Sequence, residues 1–378
     1  MSTVLLAVIA VILCVLFRIL NVNSQPQKPV IYGRDRSFIE NILFISPFLN
    51  EPYIPTRLWG FSGHVQTILH SLIGRVRCPW PIGGRVSLVL PDKSTLTYDL
   101  YEPVGSEHEG HTDDYNYMVE NLIERYPNTK LILVGFSLGG NLISKYLGED
   151  RKRPSNIIGG ISICQGYNAI DTMVYLLQWQ NFRRFYLYIM TDNYRNIITR
   201  HKRTLLSAEM KSRYNLDEKM IVSAGTLPDL DEAYSRRVYG FESVADLYKW
   251  SSSAFYLKNI KTPMIFINAR DDPIVPDPLL PIIREFVSSH DKVMYLELAH
   301  GGHLGFYEGG LIYANPVNWL DRALVGLAGG LLMAHNKCSH KDVAVPNDCV
   351  PSDDEPDLIK SATIVYRDPL EKPFVKAY

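Results

Sequence analysis

The sequence lacks a charge excess: 39 Lys and Arg face 40 Asp and Glu over 378 residues, a formal net charge of -1. Without a basic face to displace counterions, no nucleic-acid-binding surface is expected. Cysteine is scarce and odd in number, at Cys14, Cys78, Cys164, Cys338 and Cys349, with no Cys-x-x-Cys pair and no His/Cys cluster at metal-ligand spacing. Neither a disulfide framework nor a zinc site is indicated, and the thiols read as buried or idle; only Cys338 and Cys349 share a polar stretch where pairing is conceivable. No Asn-x-Ser/Thr acceptor and no internal repeat occur. With 46% hydrophobic and 21% charged residues, the composition excludes a coiled coil, a collagen-like chain and a wholly disordered one. The length suits one large domain or two small ones.

One long apolar run is present. Every residue from Val4 to Phe17 is apolar, and if Arg18 snorkels the run extends through Ile19, Leu20 and Val22, just long enough to span a bilayer. No Lys or Arg precedes it, so it reads as an uncleaved anchor rather than a signal peptide. Arg18, Lys28, Arg34 and Arg36 follow it, and by the positive-inside rule they place the main domain in the cytoplasm. The expected organisation is an anchor and link over 1–29, a main globular domain over 30–334 and a polar, disordered tail over 335–378.

Within the body, residues to about Pro79 read as helix-like and loop segments, and 85–90 and 95–101 as two strands. Residues 104–114 read as polar loop and 117–124 as a helix. Then come strand 130–135, helix 138–147, strand 157–164, a long helical and aromatic stretch over 170–257, strand 264–268, helix 278–288, strand 293–298 and helix 316–333. Strands alternating with helices predict an α/β fold with a mostly parallel sheet.

At the junction of a buried strand and a helix stands Gly135-Phe136-Ser137-Leu138-Gly139, a Gly-x-Ser-x-Gly nucleophile elbow. Its two glycines remove side chains that would strike the flanking elements, and the Leu138 N–H faces a developing oxyanion. A serine hydroxyl needs a base, and the base an orienting carboxylate, in the order Ser, Asp, His for this elbow. The sequence offers Asp271 or Asp272 after strand 264–268, and His300 or His303 after strand 293–298. Asp272, before Pro273, starts the turn that points back over the sheet edge. His303 has Gly302 and Gly305 around it, the open backbone of a catalytic loop. These two are preferred.

Together with Leu58–Thr67 (LWGFSGHVQT), Val134–Asn141 (VGFSLGGN), Ser162–Tyr167 (SICQGY), Asp271-Asp272-Pro273 and His300–Phe306 (HGGHLGF), the elbow makes the chain resemble the membrane-anchored α/β-hydrolases of the abhydrolase domain-containing protein 2 family, monoacylglycerol lipases. The resemblance covers about residues 4 to 334. It implies an α/β-hydrolase fold with a helical lid over about 168–257, the triad Ser137, Asp272 and His303, a lipid ester as substrate, and no metal or organic cofactor. It also implies a single-pass N-terminal anchor in the plasma membrane or endoplasmic reticulum with a short cytoplasmic N-terminus, opposite to the charge count, so orientation stays open.

The family pattern is interrupted. Hydrolases of this fold carry two further strands before the nucleophile strand, whereas only one helix fits between Tyr101 and Lys130, so a segment on the order of 40 to 60 residues is absent near Asp113-Asp114-Tyr115. Its loop carries the second oxyanion donor. The expected function is therefore a serine hydrolase of lipid esters, with a catalytically impaired lipid-binding protein or an acyltransferase as alternatives. His108-x4-Asp113, an acyltransferase-like spacing, lies in polar loop and reads as solvated surface. The aromatic stretch Tyr175, Trp179, Phe182, Phe185, Tyr186 and Tyr188 reads as lid or plain packing, and Arg183 and Arg184 as solvated charge.

Overall fold

A computed structural model describes residues 3–21, 23–74, 84–89, 95–100 and 112–341. A first compact unit takes in Met1–Cys338. The second begins at Ser339, and residues 342–378, where a disordered tail is expected, lie outside the described residues.

Helix α1 (Thr3–Leu20) is apolar and exposed around its girth. It ends where Asn21 turns left-handed at φ 52°. Its 18 residues, at 1.5 Å each, reach about 27 Å against a hydrocarbon core of about 30 Å. Among the described residues no helix is long and apolar enough to cross a membrane.

Strand β1 (Val30–Tyr32) comes next, followed by α2 (Arg36–Ile45), whose N-cap Asp35 accepts the Phe38 N–H, and α3 (Gly63–Ile73), whose N-cap Ser62 accepts the Val65 N–H. Strands β2 (Gly84–Val89) and β3 (Thr95–Leu100) form a separate antiparallel pair. The main sheet combines β1 with β4 (Leu131–Phe136), β5 (Ile157–Ile163), β6 (Met264–Ala269) and β7 (Val293–Leu298), in the order β1-β7-β6-β5-β4. Four of these strands run parallel, and β1 pairs antiparallel with β7, so the sheet is mixed. A three-residue strand carries too little periodicity to be read, which is why 30–79 was expected to be helix and loop alone.

Strands β5, β6 and β7 are buried along their whole length, as apolar runs between two layers of helices should be. Alternate side chains feed opposite cores. Ile265, Ile267, Met294 and Leu296 join Phe38, Ile42 and Trp319 on one face, while Met264, Phe266, Val293 and Tyr295 join Tyr146, Ile283 and Phe286 on the other. Strand β4, which leads into Ser137, is different. It lies at the edge of the sheet, and Val134 near its end is 41% exposed.

Helix α4 (Thr112–Arg125) begins earlier than the expected 117, because Asp113 and Asp114 occupy its first turn, where carboxylates complement the helix dipole. The expected join at Asp113-Asp114-Tyr115 thus falls inside a helix. Helix α5 (Leu138–Gly148) follows β4. The insertion between β5 and β6 holds α6 (Ala169–Leu176), α7 (Arg183–Arg200) and a run of short helices with its own core of Ile198, Leu216, Ile221, Leu230 and Tyr234. The last helix starts at Trp319 rather than 316 and runs to Lys341. Asn318 and Asp321 cap its start reciprocally, each side chain accepting the other's backbone N–H.

Candidate active site

Strand β4 passes into α5 through Ser137, whose backbone is strained at φ 51°, ψ -117°. Gly135 is required there, since a Cβ would lie 2.2 Å from the Gly139 carbonyl oxygen. The second glycine of the motif departs from expectation: a Cβ on Gly139 would meet nothing within 4 Å. The close approach is at Gly140 instead, where a Cβ would lie 2.6 Å from Ser162 Oγ on β5. Helix and strand touch one residue beyond the motif.

Asp272 follows β6 and His303 follows β7, so carboxylate and imidazole arrive at the carboxyl edge where Ser137 lies. His303 Nδ1 is 2.8 Å from Asp272 Oδ2, and His303 Nε2 is 2.8 Å from Ser137 Oγ. Asp272 Oδ1 accepts the N–H groups of Ile274 and Val275 at 2.7 and 2.9 Å, which leaves Oδ2 free to face the imidazole. A carboxylate at Nδ1 holds the proton there and leaves Nε2 to accept the serine proton. The two alternatives go elsewhere: Asp271 turns to the Gly302 N–H at 2.9 Å, and His300 packs against Phe61.

The Leu58–Thr67 stretch, noted in the sequence only as a family signature, builds the floor of the histidine loop. Thr67 Oγ1 accepts the His303 N–H at 2.8 Å and donates to the Gly63 carbonyl at 2.6 Å. Gln66 accepts the Tyr307 N–H at 2.8 Å and donates to the Gly60 carbonyl at 2.6 Å. Gly302, at φ +57°, has room for no side chain, since a Cβ would sit 2.4 Å from the Gly63 carbonyl oxygen. The other two signatures lock α5 to the insertion. Gln165 donates to Ser144 and accepts from Ser253, while Asn141 donates to the Ser251 carbonyl and accepts the Ser253 N–H.

Leu138 opens α5, and the N–H of a first helical residue has no acceptor within its own helix, so it is available to an oxyanion. Residues 101–111, His108 of the His-x4-Asp pattern among them, lie outside the described residues. Asp113 of that pattern pairs with Arg151 at 2.5 Å.

The aromatic stretch divides in two. Trp179, Phe182, Phe185 and Tyr188 are exposed, while Tyr186 is buried with its hydroxyl 2.9 Å from His64 Nδ1 on α3. Burial, with the Arg183 charge behind it, lowers the His64 pKa. Arg183 is not solvated charge: it is buried, donates to Gln178 and stands 5.5 Å from the Tyr175 ring. Hydrogen bonding to Gln178 and the aromatic face offset part of its burial, while its Nε is left without a partner. His64 was missed by sequence reasoning because only the fold brings α3 to the insertion.

Cys164, at the end of β5, offers a sulfur within 4.8 Å of ligand atoms of Asp272 and His303. Burial, then the Asp272 charge, push its thiol well above the ordinary range, and the Asp272 and His303 atoms beside it are already engaged with each other.

Residues 91–310 match the family described as alpha/beta hydrolase fold. The chain is 52% identical to "Abhydrolase domain-containing protein 2" of Drosophila melanogaster, with 89% of this chain and 98% of that one covered. It is 32% identical to "Monoacylglycerol lipase ABHD2" of Homo sapiens, with 86% and 91% covered. The crystal structure of Paleococcus ferrophilus monoacylglycerol lipase superposes with a TM-score of 0.32 at 12% identity, covering 82% of this chain and 100% of that one, too loosely to locate residues. The Drosophila alignment extends over 391 positions but takes in 89% of 378 residues, about 336, so roughly 55 of its positions have no counterpart here.

Proposed function

The chain belongs to the α/β-hydrolase family, among the relatives of abhydrolase domain-containing protein 2, and on that premise we propose that it is a serine hydrolase that cleaves carboxylic esters of lipids, monoacylglycerols foremost. The carrying observation is the pair of 2.8 Å contacts that join Ser137 to His303 and His303 to Asp272. Ser137 Oγ attacks the acyl carbonyl carbon as its proton passes to His303 Nε2. Asp272 holds the imidazole's tautomer and steadies the imidazolium, and the Leu138 N–H receives the oxyanion. The proton then goes to the departing glycerol oxygen, leaving an acyl-serine. Water, deprotonated by His303, releases the fatty acid.

The apolar helix α1 supports a place at the membrane, where such esters reside. Its side chains Val4, Val11, Ile12 and Phe17 are more than half exposed, surface that lipid would cover at a gain of roughly 25 cal/mol per Å². We read residues 1–29 as anchor and link, 30–334 as the catalytic domain and about 168–257 as its lid.

A second reading, a catalytically impaired lipid-binding form, draws on the exposed edge of β4 and on the alignment positions without counterpart. Fluorophosphonate labelling separates the two, because only an activated serine reacts. Wild type is expected to label and to hydrolyse p-nitrophenyl butyrate, and Ser137→Ala to do neither. A Ser137→Ala protein that labels like wild type overturns the assignment.

A further inference from the structure

The acid and base that the triad leaves unused repeat its chemistry beside it. Asp271 Oδ2 and His300 Nδ1 are both buried and face each other at 3.5 Å, within ion-pair range, and neither atom makes a hydrogen bond. The other carboxylate oxygen, Oδ1, accepts the N–H of Gly302, the residue before His303. The other ring nitrogen, His300 Nε2, is 2.9 Å from Ser24 Oγ. Asp271 calls for the proton on Nδ1, so Nε2 accepts from the Ser24 hydroxyl. Phe61 meets the His300 ring edge-on at 5.3 Å, and the Asn21 side-chain amide donates to the Phe61 carbonyl at 3.1 Å. A second Ser–His–Asp series, its His–Asp step a 3.5 Å contact, thus runs from the segment after α1 to the Gly302 N–H, one residue before the catalytic base.

The loop at its end needs holding. Gly301, Gly302, Leu304 and Phe306 all have positive φ, at 151°, 57°, 69° and 44°. For Leu304 and Phe306 that backbone is strained, and strain persists only where surrounding contacts over-determine it. Thr67 grips the His303 N–H on one side, and Asp271 grips the Gly302 N–H on the other. Ser24 itself lies in a turn closed by its own N–H on the Asn21 carbonyl, not at a helix N-terminus like Ser137. Its place suits a tether rather than a nucleophile.

We propose that Ser24, His300 and Asp271 form a positioning relay that keeps the 300–306 loop in the conformation where His303 reaches Ser137, and so ties the base to the chain emerging from α1. The proposal rests on the reading of Ser137, His303 and Asp272 as the catalytic triad. It assigns the three residues no contact with substrate. Gln27 gives the same segment a further hold on this edge, accepting from Arg270 at 3.1 Å.

The test uses the full chain with Ser24→Ala, Ser24→Thr, His300→Phe and the double variant Ser24→Ala/His300→Phe. Hydrolysis of p-nitrophenyl butyrate, fluorophosphonate labelling rate and thermal melting are measured on each. Ser24→Ala sits at a half-exposed position and should fold whatever becomes of the buried His300→Phe. A displaced base lowers chemistry rather than binding, so kcat should fall about tenfold for Ser24→Ala and up to about a hundredfold for His300→Phe, with KM within about twofold. Ser24→Thr should restore the rate by returning the hydroxyl. Residues acting as one relay should be non-additive, the double variant being no slower than His300→Phe. A Ser24→Ala kcat within about twofold of wild type at unchanged melting temperature, or a loss that Ser24→Thr does not restore, overturns the relay. Failure of the hydrolase reading is a separate result: the wild-type chain would then neither label nor turn over.

Discussion

Replacing Asp272 with Asn should remove nearly all turnover while leaving the site's shape intact. Oδ1 of Asp272 sits under two backbone donors, the N–H groups of Ile274 and Val275. In the variant only the amide oxygen fits there, because an NH2 would face both donors with nothing to accept them. The NH2 is then forced into the Oδ2 place, 2.8 Å from His303 Nδ1, and donates where the carboxylate accepted. His303 must present a bare Nδ1 and carry its proton on Nε2, so it cannot take the proton of Ser137. The same swap in other serine hydrolases costs about 10⁴ in kcat, and a loss of that size corresponds to roughly 5.5 kcal/mol in the barrier. Because the side chains are nearly isosteric, the melting temperature should move by no more than a few degrees, about 1 kcal/mol of stability. The assay is p-nitrophenyl butyrate hydrolysis with melts run on the same preparations. An Asp272→Asn enzyme within about tenfold of wild type refutes the tautomer argument, as does an Asp271→Asn enzyme that loses more.

Gly139→Ala should fold as well as wild type, since its Cβ meets nothing and alanine is favoured over glycine in a helix by about 0.8–1.0 kcal/mol. Gly135→Ala should unfold the elbow against the Gly139 carbonyl, and equal melting of the two variants would refute the packing. Restoring the relatives' intervening segment ahead of Tyr115 should raise hydrolysis of a 2-acylglycerol about a hundredfold to a thousandfold, the worth of one oxyanion donor at roughly 2.7–4 kcal/mol. Equal turnover at matched folded concentration would mean that another N–H already serves. Removal of residues 1–20, which keeps Asn21 and Ser24, should release protein from carbonate-washed membranes; full-length protein that carbonate extracts by itself would argue against an anchor.

Much of the core was legible because its signals are local. Strands β5, β6 and β7 are short apolar runs bounded by turns, and the elbow advertises itself through a glycine pattern whose cause, the Gly135 clash, lies within four residues. The shortness of the interval before β4 was legible too, because two further strands cannot fit between Tyr101 and Lys130. Less was legible where an element is short or its cause remote. Strand β1 has three residues, and α4 gained its first turn from acidic residues that read as loop. Arg183 looked like solvated charge because its partners, Gln178 and Tyr175, are defined only once the insertion folds back on itself.

For the site, the sequence by itself determined the chemistry on offer: one serine at an elbow, two adjacent aspartates after one strand and two histidines after another, all bound for one sheet edge by the parallel order of the strands. It already preferred Asp272 and His303; only the tertiary structure shows what holds them, and not Asp271 and His300, facing the serine. His300 and His303 are three residues apart in a loop with positive φ at four positions, and its course is held by Thr67 and Asp271, 236 and 31 residues away. Backbone so strained has no preference of its own strong enough to select a conformation, so distant side chains make the selection. For the same reason Ser24, which nothing in its neighbourhood marks, acquires a partner 276 residues along the chain.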